Sequence, residues 1–398
     1  MSSFAGKIEN VSFDGDRADV VLDRTAFFPE EGGQSPDHGT LAGFPVIDVQ
    51  IRDGKIHHTL DLSRADASSV QVSLAPDSMV EGSLDWEERY SNMQQHSGEH
   101  LFSGIAHRLY GVENVGFHLS SSEVTLDFDR VLTEEQLEKV EAEANRAVTA
   151  NVETQVIFPD KEEREKIDYR SKLDLPGRVR IVIFPGYDAC ACCAPHVRRS
   201  GEIGLVKMLS VQKWKGGVRI NILCGARAIA FMQMEHRAAQ STARYLSVGM
   251  EEMLEAVTRR QAAFDEVKGK LRETQEELLM EHARSCAFFS VTPSQYDGNE
   301  PDDEIFDGQP IILFEKPLDM NAVRSAITRV AEAGAFYCAV FLEKEPGSFY
   351  YCIGSKTQDM REIQKKLKEK LGARGGGKPE MVQGSLVGSD LEIVEALQ

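Results

Sequence analysis

His96-Ser97-Gly98-Glu99-His100 stands inside the segment Met93 to Tyr110, and its reading decides how the middle of the chain folds. Leu101, Ile105 and Leu109 recur four apart, the spacing of one helical face, and Gly111 follows as a stop. Side chains four apart on a helix share a face one turn apart, so His96 and His100 can reach one ion together. A second pair at that spacing lies in Cys192-Cys193-Ala194-Pro195-His196, after a strand pattern at Val179 to Phe184 and a turn at Pro185 to Asp188. Pro195 cannot donate a helical hydrogen bond, so this spacing predicts a tight loop that presents ligands. Either pair alone is what ordinary core histidines also produce. Together they offer three imidazoles and a thiolate, a tetrahedral zinc shell. Cys190, Cys192 and Cys193 can each supply the thiolate, and a shell using all three is also open. Four protein ligands ordinarily mark a closed structural zinc, so catalysis there requires a weak ligand or a fifth position.

The rest of the chain divides around this helix into an α+β, multidomain protein. Residues 1–85 read as short strands between turn formers such as Asp14-Gly15 and Asp53-Gly54, which predicts an N-terminal antiparallel β-barrel. Residues 86–228 read as an α+β metal-binding domain. Its second helix is Glu134 to Ala150, capped by Thr133, and Val124–Phe128, Val179–Phe184, Gly204–Leu209 and Val218–Leu223 form one sheet. Residues 229–284 are nearly free of Pro and Gly and carry apolar residues three, four or seven apart. They predict a long helical linker, broken at Gly249, that serves as a spacer or a homodimer seam. Residues 285–398 read as a C-terminal α/β domain with strands at Pro310–Phe314 and Ala335–Leu342 and helices at Met320–Ala333 and Met360–Leu371. The second of these helices ends in a Gly-rich loop, Gly372 to Gly377.

Acids outnumber basic residues 64 to 45, a net charge of −19 that argues against a nucleic-acid partner unless a local patch provides one. Residues 361–378 are such a patch, with Arg361, Lys365, Lys366, Lys368, Lys370, Arg374 and Lys378 against Glu362 and Glu369. A solvated helix face explains the same charges. No apolar run reaches the roughly 18 residues of a membrane span, and the first ten residues lack a signal-peptide pattern. The expected compartment is the cytoplasm, with no membrane partner. Clustered cysteines in such a chain point to metal or redox chemistry rather than disulfides. Cys224, Cys286, Cys338 and Cys352, in apolar surroundings, are expected to be small buried hydrophobes.

At four blocks the chain resembles the editing domain of alanyl-tRNA synthetase and its freestanding relatives, the AlaX-type alanyl-tRNA editing proteins. They are Phe27 to Gln34 with Asp37 to Thr40, Met93 to His100, Cys192 to Val197, and Gly217 to Ile220 leading to Gly225-Ala226-Arg227. A further block, Gly372 to Gly384, resembles the glycine-rich signature of the synthetase's C-terminal domain, so the likeness is to the long form of the editing protein. The aminoacylation domain is not expected, because the chain opens on the barrel. In the family's frame the zinc ligands fall on His96, His100, Cys192 and His196, selecting Cys192 among its neighbours, with one Zn2+ per chain.

The resemblance implies a trans-editing hydrolase that deacylates mischarged tRNA specific for alanine, carrying serine or glycine. The alternative is a non-catalytic tRNA-binding module with a structural zinc. Glu99 is the one candidate base, although an angle of about 100° per residue turns it from His100 towards solvent or an outer shell. The resemblance assigns tRNA contact to Arg374, Gly375, Gly376, Gly377 and Lys378, where backbone amides flanked by cations can meet phosphate. Gly32-Gly33-Gln34 is expected to be a hairpin loop, and Phe27 and Phe28 barrel core. Two positions depart from the family. Glu31 replaces a third loop glycine, which predicts an altered loop, since glycine accepts positive φ and glutamate does not. Gly116 stands near the register where some synthetase editing domains carry Gln, so the likeness fixes reaction type more firmly than amino-acid selectivity.

Overall fold

The computed structural model describes residues 2–120, 124–171, 179–290, 306 and 308–398, and the chain forms two compact units, Met1–Ser241 and Thr242–Gln398. Residues 291–305, within the segment expected to open the C-terminal domain, lie outside the described residues.

The first unit begins with a closed antiparallel barrel. Its strands are β1 (Ser3–Asp14), β2 (Arg17–Leu22), β3 (Gly39–Leu41), β4 (Phe44–Arg52), β5 (Lys55–Asp61) and β6 (Met79–Leu84), in the order β1-β2-β5-β4-β3-β6. Alternation aims Ile8, Val20, Val49, Leu60 and Val80 into the barrel core. Asp53 and Gly54 both take positive φ, which matches a two-residue hairpin to the twist of β4 and β5. A short helix α1 (Ala67–Ser73) precedes β6.

Helix α2 (Trp86–Tyr110) starts at Asp85, whose carboxylate accepts from the Glu88 amide, and stops at Gly111 with φ 62°. It is therefore two turns longer at its start than the apolar periodicity predicted. From Asn92 to Ala106 every residue is buried, so the helix has no solvent side at its centre. Strands β7 (Asn114–Leu119) and β8 (Val124–Phe128) follow, then α3 (Glu134–Ala150) with a capping box between Thr133 and Gln136. Strand β9 (Gln155–Ile157), helix α4 (Lys161–Arg164), β10 (Ile181–Phe184), β11 (Asp188–Ala191), β12 (Val206–Trp214), β13 (Gly217–Cys224) and α5 (Gly225–Leu246) complete the series.

These strands make two sheets rather than the single one expected. The order β12-β13-β8-β7 forms a four-stranded sheet, and β11-β10-β9 a separate three-stranded one. The Val179–Phe184 segment belongs to the second, because Ile181 to Phe184 pair with β9 and β11. Leu101, Phe102 and Ile105 of α2 and Leu137, Val140 and Ala144 of α3 pack on Leu126, Phe128, Ile220 and Ile222, covering one face of the four-stranded sheet.

In the second unit, α6 (Met253–Ser290) begins after the break at Ser247 to Gly249. Its final turns set Leu279, Met280 and Ala283 against α7 (Met320–Glu332) and β14 (Pro310–Glu315). The sheet continues through β15 (Tyr337–Glu345), β16 (Ser348–Gly354), β17 (Arg374–Lys378) and β18 (Met381–Val387), in the order β14-β15-β16-β18-β17. The β14–β15 pair is parallel and the others antiparallel. Helices α8 (Met360–Leu371) and α9 (Asp390–Leu397) supply Met360, Leu367, Ile393 and Leu397 to a second core. The expected Gly-rich loop is corrected here, because Arg374 to Lys378 form an exposed edge strand paired with β18. Side chains at Gly375 and Gly377 would stand 2.2 Å from the carbonyl oxygens of Gln383 and Met381, so glycine is what lets the two backbones approach. Cys224, Cys338 and Cys352 are buried, whereas Cys286 is exposed on α6, contrary to expectation. Among the described residues no helix is long and apolar enough to cross a membrane.

Candidate metal centre

Two segments of the first unit meet at one point. Helix α2 brings His96 and His100, with ring centroids 5.5 Å apart. The loop after β11 brings Cys192 and His196. One donor atom from each of the four lies within 4.8 Å of the other three. The Nε2 atoms of His96 and His196 are 3.6 and 3.3 Å from Cys192 Sγ.

Each imidazole is held from behind. His96 Nδ1 donates to Gln34 Oε1 at 2.8 Å, and His100 Nδ1 donates to Asp188 Oδ2 at 3.0 Å. His196 Nδ1 lies 3.0 Å from Ser97 Oγ, which also accepts from the Val197 amide. With Nδ1 as the protonated nitrogen, every Nε2 lone pair faces inward, the arrangement in which outer partners fix the tautomer of a ligating histidine.

The supports are local consequences of sequence. Glu31 and Gln34 exchange backbone hydrogen bonds around Gly32 and Gly33, whose φ values are 63° and 83°. The positive φ values therefore fall on the two glycines, and Glu31 adopts ordinary backbone, so its replacement of a glycine leaves the turn intact. The loop abuts β7, where the Leu119 amide donates to the Gly33 carbonyl at 2.8 Å and a Cβ on Gly33 would lie 2.5 Å from the Phe117 oxygen. Arg89 of α2 pairs with Asp37, whose carboxylate also accepts from the Phe28 amide, fixing the barrel loop to the helix. Phe27 is barrel core, as expected, and Phe28 is buried. Arg180 pins the ligand loop by donating to the carbonyls of Cys192 at 2.6 Å and Ala194 at 2.8 Å.

Electrostatics separates the three clustered cysteines. Burial alone would push the Cys192 thiol up, but the surrounding His96, His100 and His196 hold it far below the usual thiol range. Burial raises the Cys190 thiol. Burial and then the Glu31 carboxylate push Cys193 up to about 12. Burial pulls His196 down to about 3, which keeps it neutral with its lone pair available. Asp188 is held below the ordinary carboxylate range despite its burial, by the charge of Arg170 and the His100 hydrogen bond. Arg170 Nε donates to its other oxygen at 2.8 Å.

The cluster borders a cavity of about 690 Å³ whose wall includes Glu31, Glu99, Phe117, Arg170 and Arg180. Glu99 is 4% exposed, which removes the expected solvent-facing alternative and leaves the outer-shell one. Its Oε1 accepts from Ser103 Oγ at 2.8 Å and Asn114 Nδ2 at 2.6 Å, and its Oε2 is 4.0 Å from His100 Nε2. The angular argument fails because α2 is enclosed on every side at this level. Arg374, Gly375, Gly376, Gly377 and Lys378 lie in the second unit, on β17.

Sequence reading missed Gln34, Ser97, Arg170, Arg180 and Asp188. Ser97 carried the one local signal, being adjacent to His96. Asp188 was read as a turn residue, and nothing near it in the chain announces a partner 88 residues away.

Residues 179–221 match the model of a family described as the threonyl and alanyl tRNA synthetase second additional domain. The alanyl-tRNA editing protein Aarsd1 of Rattus norvegicus is 30% identical over 61% of this chain, and the match spans 58% of that protein's length. The alanine–tRNA ligase of Methanoregula boonei is 30% identical over 92% of this chain and 38% of its own. The alanyl-tRNA editing protein AlaX-L of Pyrococcus horikoshii is 26% identical over 98% of this chain and 93% of its own, so the likeness runs through both units. Over both units, then, the chain is similar to the AlaX-type alanyl-tRNA editing proteins.

Proposed function

We propose that this protein hydrolyses the ester that joins a wrongly attached amino acid, serine or glycine, to tRNA specific for alanine. In this reading one zinc ion is held by His96, His100, Cys192 and His196. The observation that carries it is the inward convergence of three outer-held imidazoles and a thiolate on the wall of a cavity. Zinc–sulfur and zinc–nitrogen bonds of about 2.3 and 2.05 Å at a tetrahedral angle separate the two ligand atoms by about 3.6 Å. The Sγ to Nε2 separations of 3.3 and 3.6 Å fit that donor set.

Bound zinc would polarise the ester carbonyl or lower the pKa of water. The chain supplies the remaining steps. Ser103 and Asn114 fix Glu99 through Oε1, and the carboxylate borders the cavity. There it takes a proton from the attacking water as the water oxygen bonds to the ester carbon. The C–O bond to the ribose then breaks, and the same proton passes to the departing 3′ oxygen. Arg374 and Lys378, exposed on β17, contact the tRNA backbone, and replacing both should weaken binding and flatten its salt dependence. Exposed Leu254, Val257, Phe264 and Leu271 on α6 give the protein a self-association seam, checked by sedimentation.

The competing reading, a tRNA-binding module with a closed zinc, draws on the four-donor shell itself. Purified zinc-loaded protein is incubated with seryl-tRNA specific for alanine, and serine release is followed. Release above the spontaneous rate, lost in Glu99→Gln with zinc content retained, supports the hydrolase. No release from fully loaded protein establishes the binding module instead.

A further inference from the structure

The four-stranded sheet has one face covered by α2 and α3 and an opposite face that those helices leave bare. On the bare face a row of paired residues runs outward from the cavity. Gly116 of β7 is opposite Asp127 of β8, Asp127 is opposite Arg219 of β13, and Arg219 is opposite Gln212 of β12. Two residues beyond Gln212 on the same face stands Trp214, 36% exposed at the hairpin tip. Gly116 is part of the cavity wall. A Cβ there would lie 2.7 Å from Asp127 Oδ2, so glycine is what lets the Asp127 side chain lie over β7 at the start of the row.

We propose that this row is a track for single-stranded RNA leading to the cavity, with Trp214 as its stacking platform. The inference rests on the reading that the cavity receives the 3′ end of a tRNA. An exposed indole offers a π-face that accepts any base, and a neighbouring guanidinium strengthens such stacking. Trp214 and Arg219 together meet both conditions. Its guanidinium carbon lies 3.8 Å from the Trp214 ring centroid. Its Nε and Nη2 each donate to Asp127 at 2.7 Å, which holds the group in place and neutralises the one acid in the row. Lys215 adds a second cation 5.3 Å from the ring, and exposed Lys213 flanks it, in a chain of net charge −19. Three strand spacings of about 4.8 Å separate Gly116 from Gln212, and two residues along β12 add about 6.6 Å at right angles, so Trp214 stands roughly 16 Å from Gly116, a span that a few unstacked nucleotides cover. A stem alone has no such strand, so the face commits to the tail and not to the duplex.

The chain holds two tryptophans, Trp86 and Trp214, so a Trp86→Phe protein reports on Trp214 alone. It is titrated with an RNA hairpin bearing a 3′ single-stranded ACCA tail and with the same hairpin lacking the tail, neither of them aminoacylated. Saturable quenching by the tailed RNA only is expected. In the otherwise native protein, Trp214→Ala should weaken tailed-RNA binding about ten-fold and Trp214→Phe by much less, as one base stacked on one ring requires. Saturable binding that leaves Trp214 emission unmoved overturns the proposal. So does equal affinity of native and Trp214→Ala proteins, or no binding of the tailed RNA by the native chain. Should Trp214→Ala fail to fold, the quenching titration still decides. None of these measurements depends on hydrolysis, so loss of the deacylase reading would show separately, as binding and quenching without serine release.

Discussion

Asp188→Asn is the most informative substitution at the centre. Asp188 is buried and accepts two charge-assisted hydrogen bonds, from Arg170 Nε at 2.8 Å and from His100 Nδ1 at 3.0 Å. An asparagine of the same shape has one oxygen and one amino group, so it cannot accept from both. If the oxygen serves Arg170, the amino group faces His100 Nδ1 and drives the ring to the tautomer with a proton on Nε2. That nitrogen is then lost as a ligand. If the oxygen serves His100, two donors collide at Arg170, a buried cation left without its counter-ion. Removing one member of a buried ion pair costs about 3–5 kcal/mol. Because asparagine keeps one of the two bonds, about 3 kcal/mol is expected, which at 2–4 °C per kcal/mol for a domain of this size lowers Tm by roughly 6–12 °C. Loss of such an outer partner lowers metal affinity about ten- to a hundred-fold. Competition with a chromophoric zinc chelator measures the second effect, and calorimetry of the metal-free protein the first. Zinc affinity within two-fold of the native value in a folded Asp188→Asn protein would refute the claim that this carboxylate sets the His100 tautomer.

Cys192→Ala should abolish stoichiometric zinc binding, and Cys190→Ala should retain it; the reverse outcome by elemental analysis reassigns the ligand. Gly33→Ala places a side chain at φ 83° and 2.5 Å from the Phe117 oxygen, and should cost about 2 kcal/mol or more. The same change should weaken zinc binding through Gln34, and a variant as stable as the native protein would show that the loop has room to shift. In the barrel, burial lowers the pKa of His58 below 6.5, and its Nδ1 donates to the Val20 carbonyl. A histidine depressed in the folded state contributes stability that is complete above pH 6.5 and is lost as the pH falls below it. Tm of the native protein should therefore drop on acidification through 6.5 more steeply than that of His58→Gln, and parallel slopes would remove His58 as a cause.

What could be read from the sequence was whatever short-range chemistry determines. Thr133 and Gln136 cap α3 at the position their identities require, and Asp53-Gly54 makes the hairpin that such a pair favours. The two ligand pairs were visible because each is internally spaced by four. The errors share a physical cause in long-range pairing. Glu87 to Arg89 are polar, so periodicity missed the first turns of α2, which Asp85 and the barrel contact of Arg89 hold in place. Strand β10 went to the wrong sheet because its partners at Gln155–Ile157 and Asp188–Ala191 are chosen in three dimensions. The glycines from Gly375 to Gly377 resemble a loop until β18 lies beside them. The solvent-facing alternative for Glu99 came from an angular argument that presumes a helix has an outside. Gln34 lies 62 residues from the imidazole it orients, beyond the reach of any local pattern.

That long separation within the centre also shapes how the chain acquires an ion as it is made. Cys192 emerges 96 residues after His96. At about 5–20 residues per second, roughly 5–20 seconds of synthesis separate the two halves of the shell. During that interval α2 has only its two imidazoles to offer, and Gln34, already made, can orient one of them. If the centre takes zinc as proposed, tight capture must wait for the loop after β11, so metal loading would coincide with closure of the first unit and report that its distant segments have come together.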